Sequence, residues 1–478
     1  MGIHVDNKIM THHGHSIFPL FDTWVGFAIL GVYAVLALGL TSYFASGYNK
    51  DKQSFLLANR ELGMWQGALS IAAAWLWAPG LFISAQQAYV NGMVGLFWFC
   101  LGNFITLMFF AWFAKSIRDK NPDGYTMSGF IQKTYTGKAY LFYRFEMIIL
   151  AICAFGINLI AGSTTVALLT GIDYTLATIL MSLVALLYAF RNGLKATVVT
   201  EVIKIVVVWA GVLLLVPLVI SNSGGWDNIL AGMAGVKGVG TNIIGTPFAW
   251  GVFTSFGIAA FLGHMAGPWR DNSFYQRAYA IKPNAIIPAF VLAAFIFIMI
   301  PIGMGLIGFA AAGAGVAIPD NLLGNTNIIA IASFLPPQAA IIFTFMVFAG
   351  LIAILDSQMA SITNLFGNDL AQEHNAIIAA RAGMLLLVAL GIILANSGVT
   401  IGSLFLFFSI MGATLFLPTM LIVIKPELFY GPSLFNSLLI SFVAAMLLYF
   451  AVGSVFYATL VAVFLTPALA YGFSVSKQ

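Results

Sequence analysis

The chain has 478 residues, 61% of them hydrophobic and only 8% charged, with a formal net charge of +4. Soluble domains carry roughly 25% charged residues, so a water-exposed globule is excluded, and no basic patch interleaved with aromatics points to nucleic acid. The apolar residues lie in separate runs of about 20, enough to cross ~30 Å of hydrocarbon at 1.5 Å per residue, whereas barrel strands would alternate apolar and polar.

An all-α, polytopic membrane protein is therefore expected, with the lipid bilayer as its solvent. The N-terminal stretch "MGIHVDNKIMTHHGHSIFPLFD" is polar and lacks the charged start and small-residue cleavage site of a signal peptide. Residues 1–22 are expected to form an outer tail, and the first apolar run a retained helix. His12, His13 and His15 have no spacing that fixes them on one helical face, so they read as incidental residues of a tail, not metal ligands.

About thirteen spans follow, at residues 23–45, 65–88, 93–115, 144–168, 174–190, 197–220, 247–267, 284–313, 328–356, 376–395, 400–424, 434–452 and 454–473. Only a Gly453-Ser454 turn separates the last two. With the N-terminus outside, 17 of the 20 Lys and Arg residues fall on inner loops, Lys8 and Lys237 fall outside, and Lys204 lies within a span. That bias satisfies the positive-inside rule and places the C-terminus in the cytoplasm, with the cell membrane as the expected location. Cys100 and Cys153 fall in spans and read as packing residues rather than a disulfide.

Two spans carry helix-breaking residues. The second contains "AAAWLWAPGLFISAQQAY", where Pro79 removes a backbone donor and frees a carbonyl near Trp75. The seventh ends "FGIAAFLGHMAGPW", with Gly257, Gly263, Gly267 and Pro268. The two lie five helices apart, and because five is odd the second set enters from the opposite side, as an inverted repeat requires. Paired interruptions at matching positions point to a midplane binding site. The plainer reading is that both prolines only kink packed helices.

Several further stretches resemble the sodium/solute symporter family. "RNGLKATVVTEVIK", Arg191 to Lys204, is similar to its "GGLKAVxxTDxxQ" segment, and "DNSFYQRAYAIKP", Asp271 to Pro283, to its "D..WQRAxAxxxP" loop. The second span and its sequel, through "IRDKNPDGYTMSGFIQKTYTG", are most similar to the urea-transporter branch. The resemblance implies the LeuT-like fold, with two inverted five-helix repeats at 65–220 and 247–424 and alternating access driven by an ion gradient. It also implies a solute site between the two interrupted helices. The candidate contacts there are Trp75, Trp77, Ala78, Gln86, Gln87, Phe256 and His264, in which rings stack on a small planar solute and amides supply donors and acceptors. His264, alone on an apolar face, reads first as a packed, hydrogen-bonded residue and second as a ligand.

The family's usual sodium site joins carbonyls of the first repeat helix to two hydroxyl residues on the ninth span. Counting back from Asp369 in "LFGNDL", those hydroxyl positions fall on Ala353 and Ile354. Carbonyls of Ala73, Leu76 and Gly350 remain as donors, but two hard oxygens are missing. Asp356 and Ser357 match a second cation site of some relatives, completed by an acid at Glu201. A carboxylate deep in a bilayer helix costs ~2.5–3.5 kcal/mol on insertion scales and needs a partner, a proton or a cation. Asp356 and Glu201 are expected to sit together and share a proton or a cation, the coupling ion being sodium or a proton. The alternatives are a Glu201 bridge to Lys204, three residues on, and an Asp356 at the cytoplasmic helix end. Glu146 reads as interfacial, beside Arg144.

The function expected is a secondary active symporter of a small, urea-like polar solute, with no cofactor. A transporter-fold solute sensor and a passive channel are the alternatives. Sensors of that kind usually carry a signalling domain, and Gln478 follows the last span by five residues. No nucleophile with its base or metal-binding pair at recognisable spacing suggests an enzyme, and no feature decides oligomeric state.

Overall fold

Inside a bilayer every backbone N–H and C=O must find its partner within the protein, and a helix meets that demand from its own residues. The computed structural model describes residues 18–45, 52–189, 194–238, 240–371 and 373–475. His12, His13 and His15 lie outside the described residues. Among the described residues ten helices are long and apolar enough to cross a membrane, and two shorter apolar helices join them. Large apolar side chains such as Leu213, Ile378 and Ile393 stand at least 65% exposed. A surface of that kind belongs against lipid.

The described helices begin with α1 (Thr23–Ala45) and continue with α2 (Met64–Trp75), α3 (Ala78–Leu81) and α4 (Ile83–Lys120). Next come α5 (Ala139–Thr170), α6 (Tyr174–Ala189) and α7 (Leu194–Asn222). The second half holds α8 (Pro247–Arg270), the short α9 (Asn272–Ala280), α10 (Ile286–Gly313) and α11 (Thr326–Phe334). It continues with α12 (Pro337–Leu370), α13 (Ala376–Ala395), α14 (Ile401–Ile424), α15 (Gly431–Val452) and α16 (Val455–Val475). The most extensive helix contact joins α4 to α10.

The second expected span is interrupted where its sequence says it should be. Leu76 (φ −81°, ψ 66°) and Trp77 (φ −73°, ψ 164°) leave helical geometry between α2 and α3. Pro79 falls in the first turn of α3, where a missing N–H costs little. The loosened backbone finds local partners: Trp77 N–H donates to Trp75 O at 2.9 Å and the Trp77 indole to Ala74 O at 3.0 Å. The N–H of Ala78 donates to Asn158 Oδ1 of α5 at 2.9 Å, so a buried amide from another helix caps the restart.

The third expected span is continuous with the restarted second one in α4, bent at Gly92 (φ 60°, ψ −146°). A Cβ at Gly92 would lie 2.3 Å from Met233 O, because the segment before Pro247 pairs with this bend through Val236 N–H to Tyr89 O and Lys237 N–H to Val90 O. Glycine is required there on both counts.

Two expectations are corrected. The seventh span is not unwound: Pro247–Arg270 is one helix whose irregularity is a wide π turn at Phe253–Gly257. Pro268 sits inside its last turn without breaking it. So near the helix end the ring removes only one hydrogen bond, that to the carbonyl four residues back, and the helix stops two residues later. The ninth span is shifted along the chain. Residues 326–334 form the separate helix α11, "SFLPP" ends it, and the crossing helix α12 runs Pro337–Leu370. Asp356 is therefore in the interior of a 34-residue helix and 1% exposed, not at a cytoplasmic end.

Candidate functional site

The break between α2 and α3 opens onto a cavity in the middle of the bundle. Trp75, Trp77, Pro79 and Gly80 form one wall, and Phe99 and Asn103 of α4 another. Gly263, His264, Gly267 and Arg270 of α8 face them, closed by Phe297 of α10 with Phe405 and Phe408 of α14. The space open to the centre of a water-sized sphere is about 30 Å³. One water needs ~10–15 Å³ on that measure, so the cavity suits a solute of a few heavy atoms.

Aromatic rings set its shape. Trp77 and Phe408 have centroids 5.2 Å apart, Phe405 and Phe408 5.6 Å, and Phe99 and His264 5.2 Å at a near-perpendicular angle. A Cβ at Gly267 would come within 2.5 Å of the Trp75 ring, so the absent side chain is what lets that indole lie across α8.

The polar groups are few and specific. The Asn103 amide donates to Phe99 O at 2.8 Å and meets His264 Nε2 at 3.1 Å. Both hydrogens of its NH2 are thereby used, His264 Nε2 is the acceptor, and the imidazole is neutral with its proton on Nδ1. Asn103 Oδ1 keeps its capacity to accept. The Trp75 indole N–H and the Arg270 Nε and Nη1 are buried and donate no hydrogen bond to the protein. Arg270 is 1% exposed, its guanidinium carbon lies 5.4 Å from the Phe408 ring centroid, and its Nη1 is 3.8 Å from Glu146 Oε2. Glu146 is thus fully buried and faces Arg270, which corrects the interfacial reading. Arg144 instead pairs with Asp369 at 3.5 Å.

Of the expected solute contacts, Trp75, Trp77 and His264 line the cavity. Phe256 stands behind it, its ring 6.1 Å from that of Phe405. Ala78 contributes the capped N–H, while Gln86 and Gln87 are half-buried along α4 outside the lining, Gln87 accepting from Asn91. Arg270, Asn103, Phe99, Phe405 and Phe408 are lining residues that the sequence reading did not name.

A second polar cluster lies among α2, α7, α9 and α12. Glu201 Oε1 is 2.5 Å from Arg277 Nη2, and both carboxylate oxygens also take short hydrogen bonds from Ser357 and Ser70. Arg277 further donates to Ser70 Oγ, Ser273 O and Ser357 Oγ, each at 2.9 Å. Lys204 Nζ makes a close ion pair with Asp356 Oδ2, both side chains being buried. Asp356 Oδ1 is buried with no hydrogen-bond partner. The expectation of two carboxylates sharing one proton is corrected: each acid has its own cation. The expected Glu201 bridge to Lys204 is likewise replaced by Arg277. Burying two ions is affordable only with close counter-charges, and the chain supplies two.

Ala73, Leu76 and Gly350 meet at the helix break. A Cβ on Gly350 would touch Leu76 and Leu81 at 3.3 and 3.2 Å, and Ala73 O already accepts the Leu76 N–H at 3.2 Å. Ala353 and Ile354 are buried and apolar, and Ala353 O accepts from Ser357 Oγ at 2.9 Å.

The loop "DNSFYQRAYA" explains itself in this setting. Asp271 Oδ1 caps α9 by accepting from Ser273 N–H at 2.8 Å, and Gln276 Nε2 donates to Leu56 O at 2.7 Å. Arg277 then reaches Glu201, and the short helix, buried along its length, is wedged between α2 and α12.

Comparison with known proteins agrees with this architecture. The Na+-coupled sialic acid symporter in its substrate-bound outward-open state superposes with a TM-score of 0.78 over 95% of this chain and 98% of that one, at 16% identity. The nucleobase-cation-symport-1 transporter Mhp1, closed with bromovinylhydantoin bound, gives 0.58 over 90% and 96%, at 14% identity. Both show the LeuT-like fold with its two inverted five-helix repeats. Among curated relatives, the urea-proton symporter DUR3 of Oryza sativa subsp. japonica is 24% identical over 316 residues, 60% of this chain and 44% of that protein. The urea active transporter of Saccharomyces cerevisiae is 22% identical over 385 residues, 74% and 52% respectively. The chain spans about half the length of these curated relatives. These are transporters rather than enzymes. The family model described as "Sodium:solute symporter family" matches residues 55–401, and the chain belongs to that family.

Proposed function

We propose that this integral membrane protein is a secondary active symporter that moves a small, neutral, urea-like solute across the plasma membrane. The observation that carries the reading is the small aromatic cavity at the helix break, with unspent N–H donors on Trp75 and Arg270 and an acceptor on Asn103. Those groups match a planar carbonyl compound that bears N–H bonds. The similarity to urea transporters supports the same class. Residues 65–220 and 247–424 are the two repeats in this reading, with the N-terminus outside and the C-terminus in the cytoplasm.

Coupling falls to Lys204 and Asp356. A proton-driven carrier needs a group whose charge changes during the cycle. Glu201 and Arg277, tied together by Ser70 and Ser357, form a structural pair in this reading. Lysine exchanges its proton readily when buried, and Asp356 has an oxygen without a partner. The ammonium group supplies a built-in cation close to the region where Ala353 and Ile354 leave the usual sodium position without hydroxyls. A proton is then the coupling ion, and sodium the second reading, favoured by the family.

The test is uptake of radiolabelled urea into liposomes containing the purified protein, under an imposed proton or sodium gradient. Accumulation above the external concentration with a proton gradient alone supports the reading. Equilibration without accumulation under either gradient identifies a channel, and binding without uptake a sensor.

A further inference from the structure

We propose that Glu146 sets the charge selectivity of the cavity: by neutralising Arg270 it admits uncharged carbonyl solutes and turns carboxylates away. This rests on the cavity being the solute site.

An arginine bordering a small binding cavity ordinarily favours an anion, because its fork matches a carboxylate in two parallel hydrogen bonds. Here the guanidinium is already accompanied. Glu146 reaches to 3.8 Å of Nη1, close enough to cancel the charge yet beyond hydrogen-bonding distance. Arg270 therefore retains donors on Nε and Nη1 while carrying no uncompensated charge. Asp271, adjacent in sequence and buried, accepts from Ser273 N–H and from Gln358 Nε2 and adds a weaker counter-charge than Glu146 does. The remaining lining is aromatic, with a neutral His264. A carboxylate entering this space would bring a net negative charge into a dry site, which is strongly unfavourable. An amide or urea carbonyl would use the same donors without that penalty. Arg270 is locked against the backbone of α14, a Cβ at Gly412 falling 1.8 Å from its Nε, so it does not swing away when its partner is lost.

Acetamide and acetate have nearly the same shape and differ in charge, which makes them the probes. Equilibrium binding of each, radiolabelled, is measured on purified full-length protein. Wild type is expected to prefer acetamide by on the order of 100-fold, since an unpaired buried ion is costly. In Glu146→Gln the uncompensated guanidinium should raise acetate affinity by at least ~10-fold and lower the preference accordingly. An unchanged acetamide-to-acetate ratio in that variant overturns the proposal while leaving the solute class intact. Wild type that binds neither acetamide nor urea overturns both. Should Glu146→Gln fail to fold, Glu146→Asp withdraws the carboxylate by one methylene and is expected to shift the ratio by roughly 3-fold in the same direction; no shift there also overturns it.

Discussion

Lys204→Met combined with Asp356→Leu separates what the buried pair does for folding from what it does for transport. Nζ of Lys204 and Oδ2 of Asp356 are in direct contact and shielded from solvent. Removing one partner strands the other, a loss of about 3–5 kcal/mol for buried pairs. Lys204→Met should fall at the lower end, because the remaining carboxyl can take up a proton and become neutral. Replacing both by apolar residues of similar volume removes the desolvation penalty along with the attraction, so the double variant is expected within about 1 kcal/mol of wild type. Unfolding in detergent reports the three stabilities, and gradient-driven urea uptake into liposomes reports coupling. The double variant should fold, equilibrate solute and fail to accumulate it. Lys204→Arg should keep the pair and the fold, yet lose accumulation, because a guanidinium does not release its proton. A double variant as unstable as the two single changes summed would refute the pairing argument, and one that still concentrates solute would refute the coupling role.

Asn158→Ala removes the cap on the Ala78 N–H and should destabilise the protein by about 0.5–2 kcal/mol in chemical unfolding, with larger loss of uptake because the helix break is no longer held. Gly412→Ala places a methyl where Arg270 Nε now lies; overpacking of this kind costs about 1–3 kcal/mol, and binding of urea or acetamide should be lost. Trp75→Phe keeps an aromatic wall but deletes an indole N–H that donates to no protein group. It should weaken solute binding by roughly 10-fold, the value of about 1.4 kcal/mol for one hydrogen bond in a closed site, while leaving unfolding unchanged.

The fold was largely legible because bilayer length and backbone satisfaction leave a chain of this composition few choices. Pro79 beside Gly80 gave away the break at Leu76 and Trp77, since a missing donor leaves a mark that needs no tertiary context. Pro268 misled for the opposite reason: near a helix end the same ring is harmless, and the π turn at Phe253–Gly257 has no sequence signature of its own. The displaced α12 follows from "SFLPP": paired prolines end one helix and start another, while their apolar neighbours make the whole run resemble a single span. Asp356 and Glu201 were identifiable as buried acids. Their partners were not: Lys204 reads first as a companion of Glu201 three residues away rather than of Asp356, and Arg277, like the Arg270 that faces Glu146, lies among residues that read as an inner loop, where positive charge is expected in any membrane protein. Only their apolar flanks, Pro268-Trp269 and Phe274-Tyr275, hinted at burial. Phe405 and Phe408 carry no signal at all: an aromatic pair within an apolar span looks the same whether it faces lipid or a cavity.

The order in which the ion-paired residues occur along the chain bears on biogenesis. Ribosomal synthesis delivers α7 to the membrane before the segment that holds Arg277 and long before α12. A nascent α7 thus carries two opposite charges, Glu201 and Lys204, one helical turn apart, which can offset one another during translocon exit. With Arg277 and then Asp356 following in the chain, each charge of α7 gains the partner that it has in the finished fold.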